Sequence, residues 1–120
     1  MADAPAPAVI VRLETEPRGA VAYLTVDNRK KLNTLDSALM RSFIARIAVL
    51  AEREDLRALV LSGAGEAAFI GGASIDEMAT LDRASARDFI TLVHRTCDCL
   101  RQLPVPVIAR IGWLCARRRA

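Results

Sequence analysis

The chain has 120 residues, enough for one domain that buries roughly two-thirds of its unfolded surface. Hydrophobic residues make up 52 % of it, which excludes a disordered protein, and no apolar run approaches the roughly 20 residues that span a bilayer. The net charge of +3, with three of the positive charges at Arg117, Arg118 and Arg119, is too weak a signal for a nucleic-acid partner.

Other classes fall away on residue counts. Three cysteines give no paired framework, and Cys97 and Cys99, two apart, point to nearly opposite sides of a helix. His94 is the single histidine, so zinc sites and ordinary catalytic triads have little to build on, and no metal is expected. Residues 1 to 7 are read as a disordered start. They lack the basic start and apolar stretch of a signal peptide, which makes a cytoplasmic location without membrane partners the expectation.

Val9 to Glu14 and Val21 to Val26 alternate as strands and suit an antiparallel hairpin turning around Pro17-Arg18-Gly19. From Asp36 the spacing of Leu39, Met40, Phe43, Ile44, Ile47, Leu50 and Ala51 becomes helical. Asp36 or Ser37 is the expected cap, and Glu52 to Asp55 ends the helix. Ala58 to Leu61 reads as a buried strand closed by Ser62-Gly63.

A short helix is predicted near Ser74, where Ser74 and Glu77 have capping-box spacing, and a longer one near Ser85. The latter is expected to bury Phe89, Ile90, Val93, Cys97 and Leu100 before Pro104 closes it, and Val105 to Ile111 to form a last strand. Strands alternating with helices predict an α/β fold with a mainly parallel sheet.

The most informative stretch is Phe69-Ile70-Gly71-Gly72-Ala73-Ser74-Ile75-Asp76-Glu77-Met78. Gly71 and Gly72 supply permissive backbone angles just before a capped helix start, whose first N–H groups have no partner within the helix and favour negative charge. From the local pattern alone, a capped strand-to-helix turn with nothing bound fits better, since capped turns far outnumber anion sites. Gly63-Ala64-Gly65-Glu66-Ala67-Ala68 also fits the G-x-G-x-x-A pattern of dinucleotide-binding domains, which requires a long helix opening at those glycines.

Three motifs taken together resemble the crotonase family, the enoyl-CoA hydratases and isomerases. Phe69 to Ile75 is similar to that family's first oxyanion-hole motif, Val21 to Leu35 to its opening strand and Asn-Arg-x-x-Leu-Asn-Ala-Leu loop, and Leu103 to Ile111 to its proline-led strand. The resemblance implies a crotonase-like (ClpP/crotonase) core of ββα units over residues 8–112, stopping before the second oxyanion turn, with 113–120 as a divergent basic tail. After Gly112 the chain reads Trp113-Leu114-Cys115-Ala116-Arg117-Arg118-Arg119-Ala120. A natural short form, a shifted reading of the last codons and the edge of an excised piece all fit that ending.

The resemblance further implies an acyl-CoA thioester as partner, coenzyme A entering as part of the substrate, and no tightly bound cofactor. Its carbonyl oxygen would sit between two backbone N–H groups that stabilise an enolate, of which Ala73 would supply one. Arg29, Lys30, Lys31 and Leu32 match the loop that lies along coenzyme A. Gly71, Gly72, Ala73, Ser74 and Ile75 match the oxyanion turn, with Ser74 replacing the family's usual Asp. The family's catalytic glutamates match nothing here, and Asp76 and Glu77 are read as acidic residues serving a helix dipole. The chain alone is therefore expected to be inactive. The alternative is a non-catalytic fragment that binds acyl-CoA or pairs with another subunit.

Overall fold

The computed structural model describes residues 6–112. Strands β1 (Ala8–Glu16) and β2 (Gly19–Asp27) form the expected hairpin, Glu16 opposite Gly19, with only Pro17 and Arg18 in the turn. β2 runs parallel to β3 (Leu56–Gly63), and β3 parallel to β4 (Val107–Arg110), in the order β1-β2-β3-β4. Helix α1 (Ser37–Ala51) joins β2 to β3, while α2 (Ile75–Met78) and α3 (Arg83–Arg101) lie between β3 and β4.

The two-residue period of β2 decides which face is buried. Ala20, Ala22, Leu24 and Val26 are fully covered, whereas Val21, Tyr23 and Thr25 on the other face are half-buried. Leu59 and Leu61 continue the covered face across β3. Met40, Phe43 and Ile47 of α1 and Phe89 and Leu92 of α3 complete the same core. Each such large side chain stabilises the fold by roughly 1.5–3 kcal/mol on burial.

The opposite face is uncovered. Arg12, Tyr23, Val60 and Ile108 form one row across the four strands, with Ile10 two residues along β1 on the same face. Ile10 is 49 % exposed and Ile108 51 %. The Arg12 guanidinium lies 4.3 Å from the Tyr23 ring centroid and pairs with Glu14 at 2.6 Å, a charged cover on part of this surface.

Several expectations are corrected. α3 begins after Asp82, which accepts from the Ser85 N–H while Ser85 Oγ accepts from the Asp82 N–H. Ser85, near which the helix is expected to begin, is therefore the box partner two residues inside it. Ile90 and Cys97 are exposed, and the buried stripe is Phe89, Leu92 and Thr96, flanked by Val93, Cys99 and Leu100. Thr96 enters the core because its hydroxyl donates to Leu92 O at 2.8 Å, which satisfies the polar group within the helix.

The last strand is shorter than Val105–Ile111, since Pro104 and Pro106 lack the N–H a ladder needs, although Pro106 O still accepts from Leu59 N at 3.0 Å. Ala51 faces solvent at the end of α1. The expected basic tail, and residues 1–5 of the expected disordered start, lie outside the described residues.

Candidate active site

The site begins where β2 ends. A single 3-10 turn, Arg29–Lys31, follows Asn28, and then Leu32 and Asn33 take left-handed angles, φ 57° and 56°. Asparagine is among the few side chains that tolerate this region, and here it also holds the neighbourhood together. Buried Asn33 accepts from Asn28 N at 2.8 Å, while its Nδ2 faces the carbonyls of Ala64, Ala68 and Phe69 at 2.9, 3.0 and 3.2 Å. One amide thereby fixes the loop after β2 against the loop after β3.

The glycine turn packs on this loop. A Cβ at Gly71 would lie 2.6 Å from Leu32 O, so only glycine permits the approach. Gly72 stands at φ 104° with open space around it, so its requirement is conformational. Next, Leu35 and Ala73 form an isolated parallel bridge: Leu35 N donates to Gly72 O and Ser74 N to Leu35 O, both at 2.8 Å. In a parallel bridge the paired residue's own N–H and C=O point the other way. Consistent with this, the Ala73 N–H has no acceptor among the described residues.

The capping box at Ser74 forms only in half. Ser74 Oγ accepts from Glu77 N at 3.1 Å, but the Ser74 N–H is committed to Leu35. Glu77 instead reaches α1, where Oε1 accepts from Ser37 N at 2.7 Å and Oε2 from Ser37 Oγ at 2.5 Å. α2 is one turn long, so its dipole is small, and the individual N–H groups are what the turn offers an anion.

The basic loop is mostly engaged in the protein. Arg29 makes a two-pronged pair with buried Asp27, both contacts 3.0 Å, and Lys31 pairs with Asp76. Lys30 is exposed and makes no ion pair among the described residues. The structure thus brings Arg29 to Leu32 beside Gly71 to Ile75, with Leu32 against Gly71 and Lys31 paired to Asp76 just past the turn. Asn33 and Glu77 are the organising side chains that sequence reasoning left without these roles. The available signal for Asn33 was an asparagine in the loop after β2, a residue type that tolerates left-handed angles; Glu77 gave none, because its partner is 40 residues away.

An open cleft of about 470 Å³ lies at the C-terminal ends of β2, β3 and β4, lined by Thr25, Ser62, Phe69 and Arg110 among others. A second, of about 400 Å³, is lined by Asn28, Lys31, Asp36, Ser74, Asp76 and Glu77. Ala73 lines neither. Among the described residues no cluster of His, Cys, Asp and Glu is arranged to hold a metal, and no helix is long and apolar enough to cross a membrane. No long helix opens at Gly63 to Ala68; the next helix is the single turn α2, which removes the dinucleotide-domain reading.

A hairpin followed by parallel strands with intervening helices, and a glycine turn docked on the loop after β2, define a crotonase-like fold. Solved structures agree: an enoyl-CoA hydratase from Bacillus anthracis aligns with TM-score 0.76 at 28 % identity, over 85 % of this chain and 39 % of that one. The enoyl-CoA hydratase of Mycobacterium smegmatis gives TM-score 0.73 at 32 % identity, over 84 % and 39 %. The family model for enoyl-CoA hydratase/isomerase matches residues 16–115, and the chain belongs to that family.

Among curated relatives, the short-chain-enoyl-CoA hydratase of Clostridium acetobutylicum is 33 % identical over 97 residues, 81 % of this chain and 37 % of that protein. The human mitochondrial enoyl-CoA hydratase domain-containing protein 3 is 31 % identical over 121 aligned residues, 92 % of this chain and 39 % of that protein. The chain therefore spans less than two-fifths of the length of these relatives.

Proposed function

We propose that this chain forms the first part of an acyl-CoA thioester site, in which the Ala73 N–H is one of two donors to the thioester oxygen. The observation that carries the reading is the unengaged Ala73 N–H, directed away from Leu35 and held by the bonds on either side of it to that residue. A backbone donor already in position stabilises an enolate as its charge forms, and loss of one such donor typically costs a hundred- to a thousandfold in rate. Because the donor is backbone, alanine there is chemically sufficient, and Ser74 replaces an aspartate while still capping α2.

The loop at Arg29 to Leu32 lies along the coenzyme A portion. Lys30 is the cation free to meet phosphate, since Arg29 and Lys31 are already paired. Coenzyme A arrives with the substrate, and no tightly held cofactor enters the reading. Hydration further needs a base for water and an acid for carbon. Asp76 and Glu77 are occupied by Lys31 and Ser37, so the 120 residues by themselves bind without turning over. The exposed Ile10 and Ile108 on the outer face of the sheet support the second reading, pairing with another subunit or segment.

The test is an NMR titration of the 120-residue chain with a 3-oxoacyl-CoA and, separately, with NAD. Binding of the thioester with a downfield shift of the Ala73 amide proton is expected, together with no 2-enoyl-CoA hydration above buffer. Absence of thioester binding, or binding of NAD alone, overturns the reading; turnover overturns its inactive part.

A further inference from the structure

Three bonds converge on Glu77, and they join segments far apart in the chain. Its backbone N–H donates to Ser74 Oγ at 3.1 Å, while its carboxylate accepts from both the N–H and the hydroxyl of Ser37. Ser37 is the first residue of α1, whose N-cap Asp36 already accepts from Leu39 N at 2.8 Å. The Glu77 carboxylate thus satisfies a second orphan donor of α1 and sits at the positive end of its dipole.

Between these two anchors runs the Leu35–Ala73 bridge, only one residue pair long. A single pair gives little resistance to twisting, and Gly71 and Gly72 on one side of it supply no stiffness. We propose that Glu77 is a positioning residue: by tying α2 to the N-terminus of α1 it holds the bridge closed and keeps the Ala73 N–H directed away from Leu35. This rests on the reading of Ala73 as an oxyanion donor, and it assigns a second-tier role to a carboxylate that touches no substrate.

The geometry also supplies a test that leaves α1 intact. Proline is favoured at the first position of a helix, and Asp36 before it is already extended at φ −88°, ψ −180°, as a residue preceding proline must be. Ser37→Pro therefore removes both donors to Glu77 without opposing the helix. Glu77→Ala removes the acceptor, and Glu77→Gln retains an acceptor for Ser37 N and a donor for Ser37 Oγ.

Amide hydrogen exchange of the 120-residue chain reads the bridge directly. In Ser37→Pro and Glu77→Ala, the Leu35 and Ser74 amides should exchange on the order of tenfold faster, while amides of the β2–β3 ladder keep their protection and Glu77→Gln stays near wild type. In the same two variants the preference for a 3-oxoacyl-CoA over free coenzyme A should fall on the order of tenfold. Unchanged exchange in Ser37→Pro overturns the proposal, as does faster exchange with the ligand preference intact. If the wild-type chain shows no such preference, the oxyanion reading fails, and the exchange rates still decide whether Glu77 holds the bridge.

Discussion

Replacing Asn33 tests the joint on which the candidate site depends. In Asn33→Ala, the Nδ2 contacts to Ala64, Ala68 and Phe69 are lost, and the Asn28 N–H loses its acceptor. An unsatisfied buried donor costs about 1–3 kcal/mol, and alanine at φ 56° adds roughly 1–2 kcal/mol of backbone strain. A loss of about 3 kcal/mol should lower the melting temperature of a chain of this length by about 12 °C. Asn33→Asp keeps the shape, the acceptor for Asn28 and the tolerance of left-handed angles. It aims a carboxylate oxygen at three carbonyls, however, and should destabilise at neutral pH by at least as much.

The sign of the pH dependence follows from that arrangement. Those carbonyls raise the folded pKa of the introduced Asp above its unfolded value of about 3.9, so the folded state binds the proton more tightly. The stability gap between Asn33→Asp and wild type should then narrow as pH falls from the folded pKa to about 3.9, and widen as pH rises. Urea denaturation followed by circular dichroism at pH 4, 5.5 and 7, wild type and both variants side by side, measures it. An Asn33→Asp variant as stable as wild type at pH 7, or a gap that ignores pH, refutes the assigned role of the amide.

Further outcomes follow from other contacts. Gly63→Ala would put Cβ 1.6 Å from Phe69 O and 2.7 Å from Asn33 Nδ2, so the loop must move and a loss of about 3 kcal/mol or more is expected by denaturation. Asp82 has its pKa lowered chiefly by the Ser85 N–H and hydroxyl. Its capping contribution is therefore present at neutral pH and lost as pH falls through its depressed folded value, and Asp82→Ala should fray the start of α3 at pH 7, seen as faster amide exchange there, with the difference vanishing in acid. Burial pushes the Cys99 thiol up to about 11, while Cys97 is exposed; iodoacetamide at pH 8 should label Cys97 well before Cys99, by peptide mass. Equal labelling would contradict the burial of Cys99.

Local chemistry was enough for much of this molecule. Alternation in Val21 to Val26 and the helical spacing from Leu39 to Leu50 depend only on which side faces the core, so hairpin, first helix and parallel core were legible. The motif at Phe69 to Ile75 was legible as a glycine pair before a capping serine, and its resemblance to a family motif, not the local pattern, marked it as a site. On α3, by contrast, the apolar residues outline two overlapping faces, and contact with α1 selected the one containing Thr96 over the one containing Ile90. Tertiary structure also decided that Glu77 serves α1 and that Asp27 and Asp76 occupy two of the three cations beside the site. Those partners lie from 2 to 45 residues apart, and side-chain hydrogen bonds depend on distances in space that periodicity along a chain does not encode.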